Sequence, residues 1–199
     1  GSNVLAGASG QGGGYVIENS LRFRSSATAY FNRTLTTPTD NKKWTWSGWV
    51  KRGTLSTYQM LMEGRTNASN RQGLYFNASN DTLIFYETVA GTGVYSWPTT
   101  AVYRDPSAWY HIMFVFDSAN ATAANRALIY VNGVRIAATG ATIPLNQASI
   151  INSATPHNIG KFTETGTYFD GYLTEINFID GQALTPSDFG DYNIDTGVW

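Results

Sequence analysis

Short runs in which apolar and polar residues alternate, broken by glycine- and asparagine-rich turns, recur from Leu21 to Ile179 at spacings of about 8–12 residues. Alternation with a period of two sends successive side chains to opposite faces of an extended chain, so each run presents one face that a second layer must cover. The run at 44–52 (WTWSGWVKR) puts Trp44, Trp46, Gly48 and Val50 on one face and Thr45, Ser47 and Trp49 on the other. Tryptophan on both faces means that this strand lies between layers or lines a concave surface. The run at 109–117 is almost wholly apolar, which points to cover on both sides. Further strands are expected at 21–24, 58–63, 73–77, 82–87, 127–131, 134–137, 158–162 and 172–179.

Asn132-Gly133 between two of these runs is a strong signal for a two-residue hairpin turn. Residues 88–104 are expected to be irregular, because Gly91, Gly93 and Trp97-Pro98 interrupt any regular run. One helical turn is expected at 185–188: Thr185 caps it, Pro186 takes the first helical position and Asp188 faces the helix dipole. With 20 glycines, 14% aromatic residues and few helix-favouring Lys or Glu, the chain is all-β, and strands at this spacing form a β-sandwich. Its expected organisation is a flexible glycine-rich segment at 1–19, opening on a Gly1-Ser2 remnant of tag cleavage, then the sandwich at 20–190 and a tail at 191–199.

Composition removes several functions. A net charge of −1 leaves no basic footprint for nucleic acid or an acidic membrane. No stretch approaches the roughly 20 apolar residues of a membrane-spanning helix, and no signal peptide is visible. The absence of cysteine excludes disulfides, thiol catalysis and thiolate zinc sites, and two histidines are too few for most multi-histidine metal centres. His111 sits in the most apolar strand and reads as a core residue, and His157 has no acid near it in sequence. No Gly-x-Ser-x-Gly nucleophile elbow occurs.

The segments WTWSGWVKRG (44–53), AWYHIMFVFD (108–117), LIYVNGV (128–134) and FDGYLTEINFIDGQALTPSDFG (169–190) together resemble the laminin-G-like, concanavalin A-like jelly-roll superfamily over about residues 20–190. The resemblance implies a two-sheet antiparallel jelly-roll β-sandwich. A narrower likeness joins NVLAGASGQGGGYVIENSLRF (3–23), YRDPSAWYHI (103–112) and FIDGQALTPSDFG (178–190) to bacteriophage tail and virion structural proteins, in which this region is one domain of a longer chain. By that likeness Trp199 marks a cut within a longer protein. The expected role is a non-catalytic, tail-associated binding domain that contacts host-surface glycan or another virion protein, with homo-oligomerisation open for the full-length protein. A purely structural spacer or decoration module is the alternative.

Glucanases share the fold, and in that branch the catalytic carboxylates lie on one strand as Glu-x-Asp-x-x-Glu, a pattern missing here. Glu175 and Asp180 are five apart, which in a regular strand sends them to opposite faces, so a glycosidase is the least favoured reading. Asn-x-Ser/Thr at Asn32, Asn67, Asn77, Asn80 and Asn120 is expected to mark turns rather than glycosylation. Tyr95, Trp97, Tyr103, Tyr168 and Phe169 are expected in or beside loops, where they either stack on sugar rings or cap the ends of the sandwich. The resemblance to pentraxins implies a rim site between the loop before 73–77 and the loop after Phe162. There Asn67, Asn70 and Glu164 would hold a sugar, with Tyr168 as a stacking face and Tyr95 and Trp97 as further ligand contacts. No cofactor is expected. Calcium at Asn67, Asn70 and Glu164 would bind weakly or not at all, because only Glu164 carries charge.

Overall fold

A computed structural model describes residues 17–199, so the glycine-rich stretch 3–14 and the Gly1-Ser2 remnant lie outside the described residues. Along the chain run β1 (Leu21–Phe23), β2 (Phe31–Thr34), β3 (Lys43–Arg52), β4 (Gln59–Asn67), β5 (Asn70–Phe76), β6 (Thr82–Val89), β7 (Thr92–Val102), β8 (Tyr110–Asp117), β9 (Ala127–Val131), β10 (Val134–Ile136), β11 (Pro156–Ile159), β12 (Lys161–Phe162), β13 (Thr167–Tyr168) and β14 (Gly171–Asp180). They build two six-stranded antiparallel sheets, β1-β14-β3-β8-β9-β10 and β2-β11-β4-β5-β6-β7, with β12 and β13 forming a small separate hairpin. Among the described residues, helix is confined to three-residue 3-10 turns at Ser25–Ala27, Ala123–Asn125 and Pro186–Asp188. The last is the expected turn, with the Thr185 N–H donating to the Asp188 carboxylate at 2.7 Å. No helix among them is long and apolar enough to cross a membrane.

The alternation read from the sequence builds the core. Trp44, Trp46 and Val50 of β3, with Ile112, Phe114 and Phe116 of β8, meet Leu74 and Phe76 of β5 and Leu83 and Phe85 of β6. The Phe85 and Phe114 rings stack 4.3 Å apart across the sheets. Trp44 also satisfies its polar atom, donating from Nε1 to Ser149 Oγ at 2.8 Å, as a buried indole must.

The opposite face of the first sheet is buried as well, which explains why 109–117 is almost wholly apolar. Thr45, Ser47, His111 and Met113 are all nearly inaccessible, because the chain after β14 forms a third layer over them. Thr45 Oγ1 donates to the Gln182 carbonyl and accepts from the Leu184 N–H. The Trp199 ring stacks on His111 at 5.5 Å. His111 shares one hydrogen bond with Ser47 at 3.0 Å, its Nδ1 has no partner, and burial pushes it down to about 4.

Three expectations about local structure need correction. Residues 88–104 are not irregular: Thr92–Val102 is a strand that pairs with β6 through two register shifts. Pro98 fits because β7 is an edge strand, where a missing N–H breaks no ladder. Consequently Tyr95 and Trp97 are strand residues, not loop residues. Tyr103 and Phe169 do lie in loop segments, as expected, and are buried in the core there, at 5% and 0% exposure. Glu175 does not sit in a regular strand either. It occupies a bulge between Thr174 and Asn177 with φ of 52°, so parity arguments fail across it.

Asn132 and Gly133 take φ of 51° and 77°, the pair of positive values that a type I′ hairpin turn requires. A β carbon on Gly133 would also approach the Trp199 ring to 2.4 Å. Gly133→Val is therefore expected to cost about 1–2 kcal/mol, since a β-branched residue resists that backbone region; thermal melting reads the loss, and an unchanged midpoint would contradict the turn.

Candidate functional site

The two sheets differ in what covers their outer faces. Register fixes the outward residues of the second sheet in rows: Met60, Tyr75 and Ile84 form one, Glu63, Gly73 and Tyr86 the next, and Arg65, Arg71 and Thr88 a third. No β carbon at Gly73 leaves room for the Tyr86 ring to lie over the sheet. Tyr75 packs edge-to-face on Tyr86, Tyr58 packs edge-to-face on Tyr75, and Phe162 of β12 closes the cluster at 5.5 Å from both Tyr58 and Tyr75. The outcome is an aromatic floor of three tyrosines, of which Tyr58 and Tyr75 remain half-buried and open to solvent. Burial, reinforced by Tyr58, pushes the Tyr75 hydroxyl up to about 12, so it stays a neutral donor. Burial raises Tyr86 further, with Glu63 adding to it.

The β12–β13 hairpin is a wall along this floor, and Glu63 ties it down. Glu63 Oε2 accepts from the Thr163 N–H at 3.1 Å, Thr163 Oγ1 at 2.6 Å and Asn158 Nδ2 at 3.3 Å, while Oε1 accepts from the Tyr86 hydroxyl at 3.3 Å. Every donor on this buried carboxylate is neutral, and it is committed to holding the hairpin.

The structure brings part of the sequence-derived rim site together. Arg71 joins the two loops, donating from Nη1 to Glu164 Oε2 at 3.1 Å and to the Ala68 carbonyl. Asn67 and Asn70 flank the same β4–β5 turn, but their amide oxygens are already taken, one within that turn and one by the β6–β7 turn. Asn67 Oδ1 accepts from the Ser69 N–H at 2.9 Å and Asn70 Nδ2 at 3.1 Å, and Asn70 Oδ1 accepts from the Ala90 N–H at 3.2 Å. Tyr168 faces elsewhere: it pairs with Lys161 on the other face of the small hairpin from Phe162, and its ring packs on Tyr30 at 5.9 Å. Tyr95 and Trp97 point into the sandwich, opposite Glu87 and Phe85, and Tyr95 is only 7% exposed. Strand parity, invisible while 88–104 read as loop, sends them inward.

These residues do not fit calcium, an ion that takes six to eight oxygens and gains affinity from carboxylates. The one carboxylate is paired with a guanidinium and both amide oxygens are occupied. Among the described residues, no three His, Cys, Asp or Glu side chains are grouped so as to hold a metal ion. The Asp180 carboxylate is held at a corner by Thr39 N–H at 2.6 Å and Asn152 Nδ2 at 2.6 Å.

Four of the Asn-x-Ser/Thr triplets have a common geometry. Asn67, Asn77, Asn80 and Asn120 each accept the N–H of the residue two positions on, closing an Asx turn. Turn chemistry accounts for these four, whereas Asn32 lies in strand β2 rather than in a turn. Tyr58, Tyr75, Tyr86, Arg65 and Arg71 were not singled out from sequence, although alternation alone puts Arg71, Gly73 and Tyr75 on one face. What it leaves open is that this face is the outer one.

A family model described as the concanavalin A-like lectin/glucanases superfamily (Laminin_G_3) matches residues 23–188. No curated protein matches the chain by sequence. Among solved structures, a heptameric SAP-like pentraxin from Limulus polyphemus superposes with a TM-score of 0.52 at 16% identity, covering 78% of this chain and 71% of the pentraxin. Domain 4 of AbnA, an extracellular arabinanase of Geobacillus stearothermophilus in complex with arabinotriose, gives 0.54 at 18% identity over 77% of this chain and 66% of that one. The CBM40 of the Ruminococcus gnavus IT-sialidase, bound to α2,3-sialyllactose, gives 0.52 at 16% identity over 75% and 81%. At these identities the likeness is one of fold.

Proposed function

Because the chain belongs to the concanavalin A-like lectin/glucanases superfamily, we propose that it is a non-catalytic glycan-binding module whose sugar site is the outer face of the second sheet. The observation that carries this reading is the half-open tyrosine floor of Tyr58, Tyr75 and Tyr86 beside the β12–β13 wall. A large aromatic surface left partly in water is a binding surface in waiting. Tyrosine rings offer flat apolar faces to the C–H edges of a pyranose, and their hydroxyls meet its polar rim. Two of the solved structures of like fold are bound to oligosaccharides, which supports the same direction. Of the rim residues, Glu164 and the Asn67–Asn70 turn border this face, whereas Tyr95, Trp97 and Tyr168 are left out of the proposed contacts.

The finer reading places the module in a bacteriophage virion, in a tail-associated protein that touches the host surface. It rests on the likeness of 3–23, 103–112 and 178–190 to virion proteins.

A glycan array probed with the chain, followed by binding to bacterial cells carrying the glycans it selects, tests both levels. Tyr75→Ala is expected to weaken binding tenfold or more, about 1.4 kcal/mol; because its ring also packs on Tyr58, Tyr86 and Phe162, the melting midpoint falls too, and affinities are compared at a temperature where both proteins are folded. Calcium or a chelator is expected to alter neither binding nor melting. An array without a hit, or full affinity in the Tyr75 variant, would remove this face as the site.

A further inference from the structure

Arg65 and Arg71 stand directly opposite each other on β4 and β5, on the outward face that carries the tyrosines. Like charges in such a cross-strand pair repel. The pair is also under-satisfied: Arg65 Nη1 and Arg71 Nε are shut off from water and have no hydrogen-bond partner. A buried donor without a partner is rare and asks for a ligand group or water to complete it. The acids nearby do not do so. Glu63, two residues before Arg65, has its oxygens filled by Thr163, Asn158 and Tyr86. Glu164 meets only Arg71 Nη1, from an exposed turn whose side chain is 41% accessible. Arg71 itself lies against the floor, its side chain engaging the Tyr86 hydroxyl and its charge pulling on Tyr75.

Two guanidinium groups with free N–H donors, beside aromatic rings and closed by one exposed carboxylate, have the form of a site for an anion. The fork of an arginine matches a carboxylate or sulfate oxygen pair, and Glu164 already gives one carboxylate oxygen to Arg71 Nη1, the contact such a group would replace. We infer that Arg65 and Arg71 form an anion-recognition subsite, and that the glycan taken by this face is acidic, bearing a carboxylate or a sulfate. The inference rests on the glycan-binding reading of the same face. Glu164 then acts as an internal stand-in that swings out when the ligand arrives, while the tyrosines take the ring.

The test uses an array in which each neutral glycan is paired with its carboxylated and its sulfated form, together with titration of the chain by inorganic sulfate followed at the arginine Nε–H signals. Acidic forms are expected to bind at least tenfold more tightly than their neutral partners, with the advantage shrinking as salt rises. Arg65→Met and Arg71→Met should each remove most of that advantage, and Arg71→Lys should keep part of it. If Arg71→Met does not fold, Arg65→Met decides alone, since Arg65 holds no ion pair among the described residues. Equal binding of neutral and acidic partners, or an advantage that survives both substitutions, overturns the inference and leaves the glycan reading standing. No glycan hit but a saturable sulfate response that Arg65→Met abolishes overturns the glycan reading and keeps the anion site; no hit and no sulfate response overturns both.

Discussion

Asp81→Ala is expected to destabilise the fold by about 3–5 kcal/mol, because it strands a buried cation. Arg52 is 1% exposed on the inward side of β3, and its guanidinium is fully enclosed. Its Nη2 donates to Asp81 Oδ1 at 2.8 Å, its Nε to Gln59 Oε1 at 2.9 Å and its Nη1 to the Tyr103 carbonyl at 2.6 Å, with the carbon lying 4.4 Å over the Phe76 ring. Burial lowers the affinity of Arg52 for its proton, and Asp81 works against that. Burial alone would raise the Asp81 carboxyl; the Ser56 N–H, Arg52 and Arg104 together hold it below its ordinary value. In a domain of this size the loss corresponds to a melting midpoint lower by about 6–20 °C. Arg104→Ala, which removes the exposed second partner of Asp81, is expected to cost under about 1 kcal/mol. Equal effects of the two substitutions would show that the buried pair is not what holds this end of the sandwich. Because the folded Asp81 carboxyl sits below its unfolded value, its contribution is present at neutral pH and fades on acidification below about pH 4.

Glu87→Gln is expected to stabilise the protein at alkaline pH. Glu87 is 1% exposed inside the second sheet; Gln72 Nε2 donates to its Oε1 at 2.8 Å, and its Oε2 has no partner. Burial pushes the carboxyl from 4.5 up to about 7, and the Gln72 bond offsets only part of this. Between those values the folded chain holds more proton at this position than the unfolded one, so stability falls as pH rises through the interval. By pH 8 the loss amounts to about 3 kcal/mol. Glutamine, neutral and of the same shape, should erase that decline, while at pH 4 the two proteins should melt alike. His111 gives the opposite slope over an overlapping range: its folded value near 4 means that stability rises with pH up to about 6.5. Comparing wild type with Glu87→Gln at each pH cancels the histidine. A variant that melts at the wild-type temperature at pH 8 would show that Glu87 finds a partner or water when ionised.

The contrast between Trp44–Trp46 and Tyr95–Trp97 shows where the sequence is a sufficient guide. Around Trp44 the alternation is uninterrupted, so facing follows from counting, and both tryptophans are in the core. Around Tyr95 two register shifts and Pro98 hide the period, and the residues read as loop although they face inward. Glu175 fails for the same reason, since a bulge adds one residue and reverses every later assignment.

The sequence by itself determined the all-β class, the sandwich, the Asn132-Gly133 turn and the turn at 185–188. Each depends on residues adjacent along the chain, whose backbone preferences and period-two pattern are local properties. The tertiary structure alone decided which outer face stays open. Residues 181–199 cover the first sheet, and only the folded chain shows that Thr45 and His111 are sealed beneath them while Tyr75, Arg65 and Arg71 are not. It alone joined Arg71 to Glu164 across 93 residues and Arg52 to Asp81 across 29. Such pairings follow from sheet order and long-range register, which alternation does not encode, because period two tells a strand which way its side chains point and nothing about what will lie there.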